Sequence, residues 1–366
     1  MKVSQYNEHL LEMPEALSFD DVLLMPRHSE IESRGEVSLF SELGTVAGKP
    51  IGLDLPVISS PMDTVTESSM AMAMAKAGGM GVVHRYNTVD EQVAILKKFS
   101  DDMHGGDRTF PKPVAAAIGM TGDYLERAAA MQSIGIGIIC VDVAHGHHTM
   151  MERCIKSIKD KWGNNIHIMA GNVATLEGFE ALSEWGADSV RVGIGGGSIC
   201  STRLVTGHGM PTFQSILECA RTTYDTKIIA DGGIKTSGDI VKALAAGADF
   251  VMLGSMLAGT DETPGEVLTR GQSPRNPGRK YKVYRGMASK SAQDNWRGKS
   301  SSPEGISTTV SYKGPVENIL SDISGGVKSG MSYSGCRDLK CFRAHAKFLR
   351  QTSAGQTESS THILNR

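Results

Sequence analysis

KIIADGGIKTSGDIVKALAAGADFVMLGSM, residues 227 to 256, is the stretch that decides the fold. It opens on a short apolar run, turns at Asp231-Gly232-Gly233, continues as a helical pattern, stops at Gly247 and enters a second apolar run. A strand, a returning helix and a parallel strand produce that order. Outward from it, AKAGGMGVV and SEWGADSVRV repeat the same ending, a helix stopped by glycine, then a small residue, then a strand. In all there are eight apolar runs, at residues 56–62, 80–85, 113–120, 137–146, 166–175, 188–197, 227–234 and 249–256. They are continuous rather than alternating, as strands covered on both faces are. Eight such units in roughly 200 residues lead to an α/β fold, a (β/α)8 TIM barrel with its active site at the carboxyl ends of the strands. A doubly wound open sheet uses the same units, and spacing alone leaves it open.

Residues 261–312 break the rhythm with QSPRNPGRKYK and DNWRGKSSSPEGISTT, both polar and rich in Gly, Pro and Ser. An insertion placed after the last strand is either a disordered excursion or an active-site flap. We expect a catalytic barrel over 1–350 with a flap at about 288–312, and a disordered tail over 351–366, QTSAGQTESSTHILNR.

Composition removes several classes. In 366 residues, 38 Lys plus Arg oppose 40 Asp plus Glu, a net charge of -2 that neither wraps nucleic acid nor seeks a membrane surface. No run approaches the roughly 20 apolar residues of a membrane span, and the start is too polar for a secretory signal. The expectation is a soluble cytoplasmic protein. Six cysteines lie without a CxxC pair, so they read as free thiols, most of them small buried hydrophobes.

Chemistry gathers at the strand ends. GIGGGSICSTR, Gly193 to Arg203, follows the sixth run. Its glycines let backbone approach a ligand, Ser198 adds a hydroxyl, and Cys200 sits where a thiol could attack an electrophilic carbon or could equally pack under the loop. Asp231-Gly232-Gly233 and Gly254-Ser255 end the seventh and eighth runs, where barrels often seat phosphate. Asp142 and the histidines at 145, 147 and 148 follow the fourth; a metal there is conceivable, although a solvated loop is the commoner use of such a cluster.

Together with LSFDDVLLMPRHS, SSPMDTVTE, IMAGNVAT, KYKVYRGMAS and YKGPVENILSDISGGVKSGMSYSG, these motifs resemble the IMP dehydrogenase and GMP reductase family from Leu17 to about Leu349. The resemblance implies that Cys200 bonds covalently to carbon 2 of a purine nucleotide, forming a thioimidate beside a nicotinamide. It implies that Thr202 and Glu304 relay protons. Ser60, Ser198, Asp231, Gly233, Gly254, Ser255, Tyr284, Gly286, Met287 and Ala288 would hold the nucleotide, and Asp142, Ala144, Asn172, Gly193 and Gly195 the cofactor. It also implies a potassium ion at the carbonyls of Gly195, Gly197 and Cys200, and a homotetramer.

Within that family, dehydrogenases hydrolyse the adduct with water activated by an Arg-Tyr pair on a long flap, and usually carry two CBS modules between the second and third strands. Here that interval is only VDEQVAILKKFSDDMHGGDRTFPK, and Met287 to Glu304 contains no Arg-Tyr dipeptide, offering only Trp296-Arg297. Without a base for water, the adduct is better suited to accept a hydride. The expected activity is therefore an NADPH-dependent GMP reductase of purine salvage. The alternatives are an IMP dehydrogenase lacking CBS modules, a reductase acting on a related nucleotide such as dGMP, a purine sensor without catalysis, and a flavin-dependent barrel. Three departures from the family pattern stand out: Gly196 in place of proline, Ser201 in place of threonine, and a dehydrogenase-like SGMSYSGC.

Overall fold

A computed structural model describes residues 13–103, 113–271, 278–299 and 302–359. Each of the eight apolar runs contains one strand: β1 Val57–Ser59, β2 Met80–Val83, β3 Val114–Ile118, β4 Ile138–Asp142, β5 His167–Val173, β6 Ser189–Val192, β7 Lys227–Asp231 and β8 Phe250–Leu253. Every strand is parallel to its neighbours, and β8 closes on β1 in the register Val251 to Val57 and Leu253 to Ser59. The barrel is therefore closed, and the open-sheet alternative falls. Returning helices follow in turn: α1 Ser68–Lys76, α2 Val89–Met103, α3 Tyr124–Ser133, α4 Thr149–Trp162, α5 Leu176–Glu184, α6 Thr212–Cys219, α7 Ser237–Ala245 and α8 Val316–Ser332.

Continuous apolar strands serve two cores at once. Ile58, Met80, Val82, Ala115, Met169, Ile229 and Phe250 fill the barrel interior, while Val57, Val83, Ala116, Val190 and Val251 pack outward against the helices. A hairpin of Ser41–Val46 and Lys49–Leu53 plugs the amino-terminal end, sending Leu43 and Leu53 into the interior cluster. Helix starts carry their own caps. In α7, Thr236 accepts from Asp239 N while the Asp239 carboxylate accepts from Thr236 N, a reciprocal pair that satisfies two otherwise orphaned donors.

Among its described residues the excursion after β8 is built from regular elements. Leu268–Arg270, Arg279–Arg285 and Ser307–Ser311 form an antiparallel sheet, and the helix Lys290–Arg297 leads out of it over the barrel mouth. The expected tail needs correction: Ser353–Glu358 is a short helix, capped by Thr352 accepting from Gly355 N. Its polar sequence folds because Gln351 is tied to the chain start, donating from its backbone to Asp21 O and from its side chain to Asp20 O. Residues 360–366 lie outside the described residues. Among the described residues no helix is long and apolar enough to cross a membrane.

His167, at the start of β5, is buried, with Nε2 2.9 Å from Ser189 Oγ and Nδ1 without a partner. Burial pushes its pKa down from 6.5 to about 4. Above pH 6.5 the ring is neutral in both folded and unfolded chain, and it costs nothing. Between pH 6.5 and about 4 only the unfolded chain takes up the proton, so stability falls with pH, by about 3 kcal/mol at the bottom of the window. Denaturant midpoints for the parent and His167→Gln should therefore converge as pH drops from 7 to 4.5, whereas parallel curves would show that His167 does not titrate in this way.

Candidate active site

The carboxyl ends of the strands surround a cleft of about 490 Å³. Every residue that the family resemblance assigns to the nucleotide, the cofactor or the relay lines it, from Ser60 after β1 to Glu304 at the far end of the flap, whereas His145, His147 and His148 do not. The spread along the chain disappears because a closed barrel brings all eight strand ends to one rim.

Cys200 occupies the loop after β6 and is partly buried. Its Sγ lies 3.1 Å from Thr202 Oγ1, which donates in turn to Glu304 Oε2 at 2.8 Å. A thiol, a hydroxyl and a carboxylate are thus linked in one hydrogen-bonded line, the hydroxyl and carboxylate lying 102 residues apart in sequence. The flap base makes this possible. Ser201 N donates to Glu304 O at 2.9 Å, Ile306 N to Ile199 O at 3.0 Å, and Glu304 N to Ala288 O at 3.0 Å.

Glycines allow the backbones to close on one another. At Gly193, φ is +145° and an added Cβ would stand 2.0 Å from Asp231 O. At Gly254 an added Cβ would meet Tyr284 Oη at 3.0 Å and Met62 Sδ at 3.2 Å, so the eighth strand end stays open only as glycine. Burial pushes the Tyr284 phenol up to about 12, and its hydrogen bond to Ser198 only partly offsets this. It therefore keeps its proton.

Beneath the cleft lies an ion cluster that sequence reading did not find. Arg191 of β6 is buried and bridges Asp142 of β4, at 2.6 Å, and Asp231 of β7, at 2.8 Å. Burial works against its charge, but Cys140 and the two carboxylates together more than offset this and hold its pKa well above the ordinary arginine value. Asn172 donates to Asp231 Oδ2 at 2.9 Å and to Gly193 O at 2.8 Å, while its Oδ1 is buried with no partner. The sequence held one signal, a lone arginine inside the apolar run SVRV. Arg85, Tyr86 and Gln293 also line the cleft without having been singled out. Trp296 stacks on Tyr86 with ring centroids 6.0 Å apart.

The histidines after β4 do different work. His148 caps α4 by accepting from Met150 N, and His147 packs against Trp185. Neither belongs to a metal-competent group among the described residues.

The family described as IMP dehydrogenase / GMP reductase domain matches residues 16–362. Among curated proteins, the chain is 37% identical to an inosine-5'-monophosphate dehydrogenase of Borreliella burgdorferi over 95% of this chain and 97% of that one. It is 32% identical to a GMP reductase of Leishmania major over 97% of this chain and 98% of that one. An inosine-5'-monophosphate dehydrogenase of Nitrosopumilus maritimus is 33% identical over 96% of this chain and 99% of its own, in an alignment of 482 positions, so a long segment there has no counterpart in the 366 residues here. Among solved structures, a GMP reductase of Trypanosoma brucei in complex with guanosine 5'-monophosphate superposes with a TM-score of 0.88 at 30% identity, covering 97% of this chain and 99% of that one.

Removing Arg191 leaves two half-buried carboxylates facing each other. Arg191→Met should cost about 3–5 kcal/mol in unfolding free energy, the usual penalty for half of a buried ion cluster. Adding Asp142→Asn and Asp231→Asn should recover a large part of it. If the triple variant is no more stable than Arg191→Met, the cluster is not coupled through charge.

Proposed function

The chain belongs to the IMP dehydrogenase / GMP reductase family, and from that premise we propose that it is a GMP reductase, converting GMP to IMP and ammonia with NADPH. The observation that carries this reading is the line from Cys200 through Thr202 to Glu304, with no flap Arg-Tyr pair beside it. The phosphate of GMP would lie at Gly233, Gly254 and Ser255, with Ser60, Ser198 and Tyr284 nearby, Asp231 toward the ribose, and Gly286, Met287 and Ala288 beside the base. Arg191 and Asn172 already occupy Asp231 Oδ2, which leaves Oδ1 for a sugar hydroxyl.

The relay then moves protons in both directions. Cys200 gives its proton to Thr202 while Thr202 passes its own to Glu304, and the thiolate attacks carbon 2 of the base. As the carbon–nitrogen bond breaks, the same path returns a proton to the departing ammonia. General acid catalysis of this kind typically contributes ~10²- to 10⁴-fold. When the carbon–hydrogen bond forms, the carbon–sulfur bond breaks and the thiolate leaves, giving IMP. NADPH, when bound, supplies the hydride. Its place would be beside Asp142, Ala144, Asn172, Gly193 and Gly195, where the unpartnered Asn172 Oδ1 offers a buried acceptor suited to a carboxamide or hydroxyl donor.

A potassium ion on the cysteine loop, a homotetramer and a cytoplasmic location complete the reading. The carbonyls of Gly195, Gly197 and Cys200 would hold the potassium, Gly197 O using the lone pair that Cys200 N, at 3.1 Å, leaves open. Association is supported by Leu204, Val205 and Ile306, large apolar side chains exposed beside the catalytic loop.

One observation favours a second reading, an IMP dehydrogenase: Arg85-Tyr86, the chain's Arg-Tyr dipeptide, lines the same cleft from the loop after β2. A spectrophotometric assay separates the two. GMP with NADPH should consume the cofactor, and IMP with NAD should yield almost no NADH; steady xanthosine monophosphate production would reverse the assignment. Cys200→Ala should retain GMP binding and lose NADPH oxidation. Glu304→Gln should lower kcat by ~10²- to 10⁴-fold with little change in KM, and a kcat within twofold of the parent would remove Glu304 from the relay.

A further inference from the structure

A second cluster of reactive side chains lies at the opposite end of the barrel. The helix Leu339–His345 is fixed there by Arg343, which donates to Ala248 O at 2.9 Å and pairs with Asp249 at 2.8 Å, both just before β8. We propose that Cys336, Cys341 and His345 form a site for a borderline-soft divalent cation, zinc above all, with water in the fourth position.

The donor atoms of the three residues all lie within 4.8 Å of one another, and among the described residues no other group of His, Cys, Asp or Glu is so placed. In a tetrahedral zinc site, with Zn–S about 2.3 Å and Zn–N about 2.0–2.1 Å, neighbouring ligand atoms stand roughly 3.3–3.8 Å apart. Cys341 Sγ and His345 Nδ1 are 3.6 Å apart without any ion, and Nδ1, now 2.9 Å from Cys341 O, would exchange that contact for the metal. Residues four apart share a helix face, and Asp338 Oδ1 fixes the first of them by accepting from Cys341 N at 2.8 Å. Cys336 comes from the turn that closes α8, held by its own N–H on Met331 O at 3.2 Å.

Burial is graded across the set. Cys336 is buried, Cys341 half-buried and His345 exposed, so the inner wall is thiol and the outer side is open to solvent. Two thiolates balance the charge of a divalent ion, and the sulfur-rich set selects against magnesium and calcium. The ligands come from a ten-residue span, C-x4-C-x3-H, that ties the chain end to the barrel base. Beyond it, Phe348–Arg350 pairs with Val22–Leu24. The ion's role would be to clamp that closure, far from the cleft.

The test uses the reduced full chain with Cys200→Ser as background, so that the cleft thiol cannot contribute. Titration with Co2+ should give one equivalent of a tetrahedral visible spectrum with thiolate charge transfer, displaced by Zn2+. Cys341→Ser and His345→Ala alter accessible positions and carry the test, because Cys336 is buried and its variant endangers the fold. Each should weaken Co2+ binding at least about 100-fold, beyond the ~10–100-fold typical of losing an outer partner. Zinc should raise the melting temperature of the parent and not of His345→Ala. No cobalt spectrum in the reduced protein, or an unchanged spectrum in Cys341→Ser, overturns the site.

Discussion

One buried guanidinium organises the mouth of this barrel. Arg191 stands on β6 between carboxylates presented by β4 and β7, and without it Asp142 and Asp231 would repel each other where little water screens them. Its neighbours are shaped around it. Gly171 on β5 is glycine because an added Cβ would lie 2.6 Å from Arg191 Cβ. Immediately after it the β5–β6 register slips, between Gly171 and Val173, and the irregularity turns Asn172 toward Asp231 and Gly193. A bulge re-aiming a side chain at a site rim is a common device. Three strands and an irregular fourth thereby fix the polar floor of the cleft before any ligand enters.

The proposed nucleophile is placed differently. Cys200 hangs on a glycine-rich loop, and its neighbours Ile199 and Ser201 are hydrogen-bonded to the flap at Ile306 and Glu304. The loop that carries the thiol and the flap base that carries Glu304 are therefore tied together through the backbone. A second latch lies further out, where Trp296 of the flap helix stacks on Tyr86 of the β2 loop. A third ties the flap sheet to the loop after β1, with Arg285 Nε on Asp63 Oδ2 at 2.9 Å. Opening the flap would break the hydrogen-bonded line from Cys200 to Glu304 as well as expose the cleft.

Strands were legible in the sequence because a strand covered on both faces must be apolar throughout, and SVRV or DFVML has no other economical use between two glycine-stopped helices. Cleft residues were legible for the same reason, since a closed barrel leaves the strand ends nowhere else to go. Long-range charge was not: nothing near Arg191 in the chain says that its partners are Asp142 and Asp231, 49 and 40 residues away. The tail failed on a related point. QTSAGQTESS is polar enough to look unstructured, and only the contacts of Gln351 with Asp20 and Asp21, 331 residues distant in one case, give it a place to fold.

Reductase and dehydrogenase chemistry share one adduct and part at the question of what reaches carbon 2 next. Water needs a base, and Arg85 is poorly prepared to be one. It donates to Asp142 O at 3.1 Å and lies 3.9 Å from the Asp142 carboxylate, so its guanidinium is already engaged as a donor. Tyr86 is engaged with Trp296. The one carboxylate in line with the sulfur is Glu304, which accepts from Thr202. If Glu304 has taken the thiol proton, that proton must return to a departing amine for the cycle to continue, and a carboxylate so occupied does not also deprotonate water. That hydrogen-bonding economy is the physical basis of the proposed reductase reading, in which the hydride brings its own electron pair and needs no base.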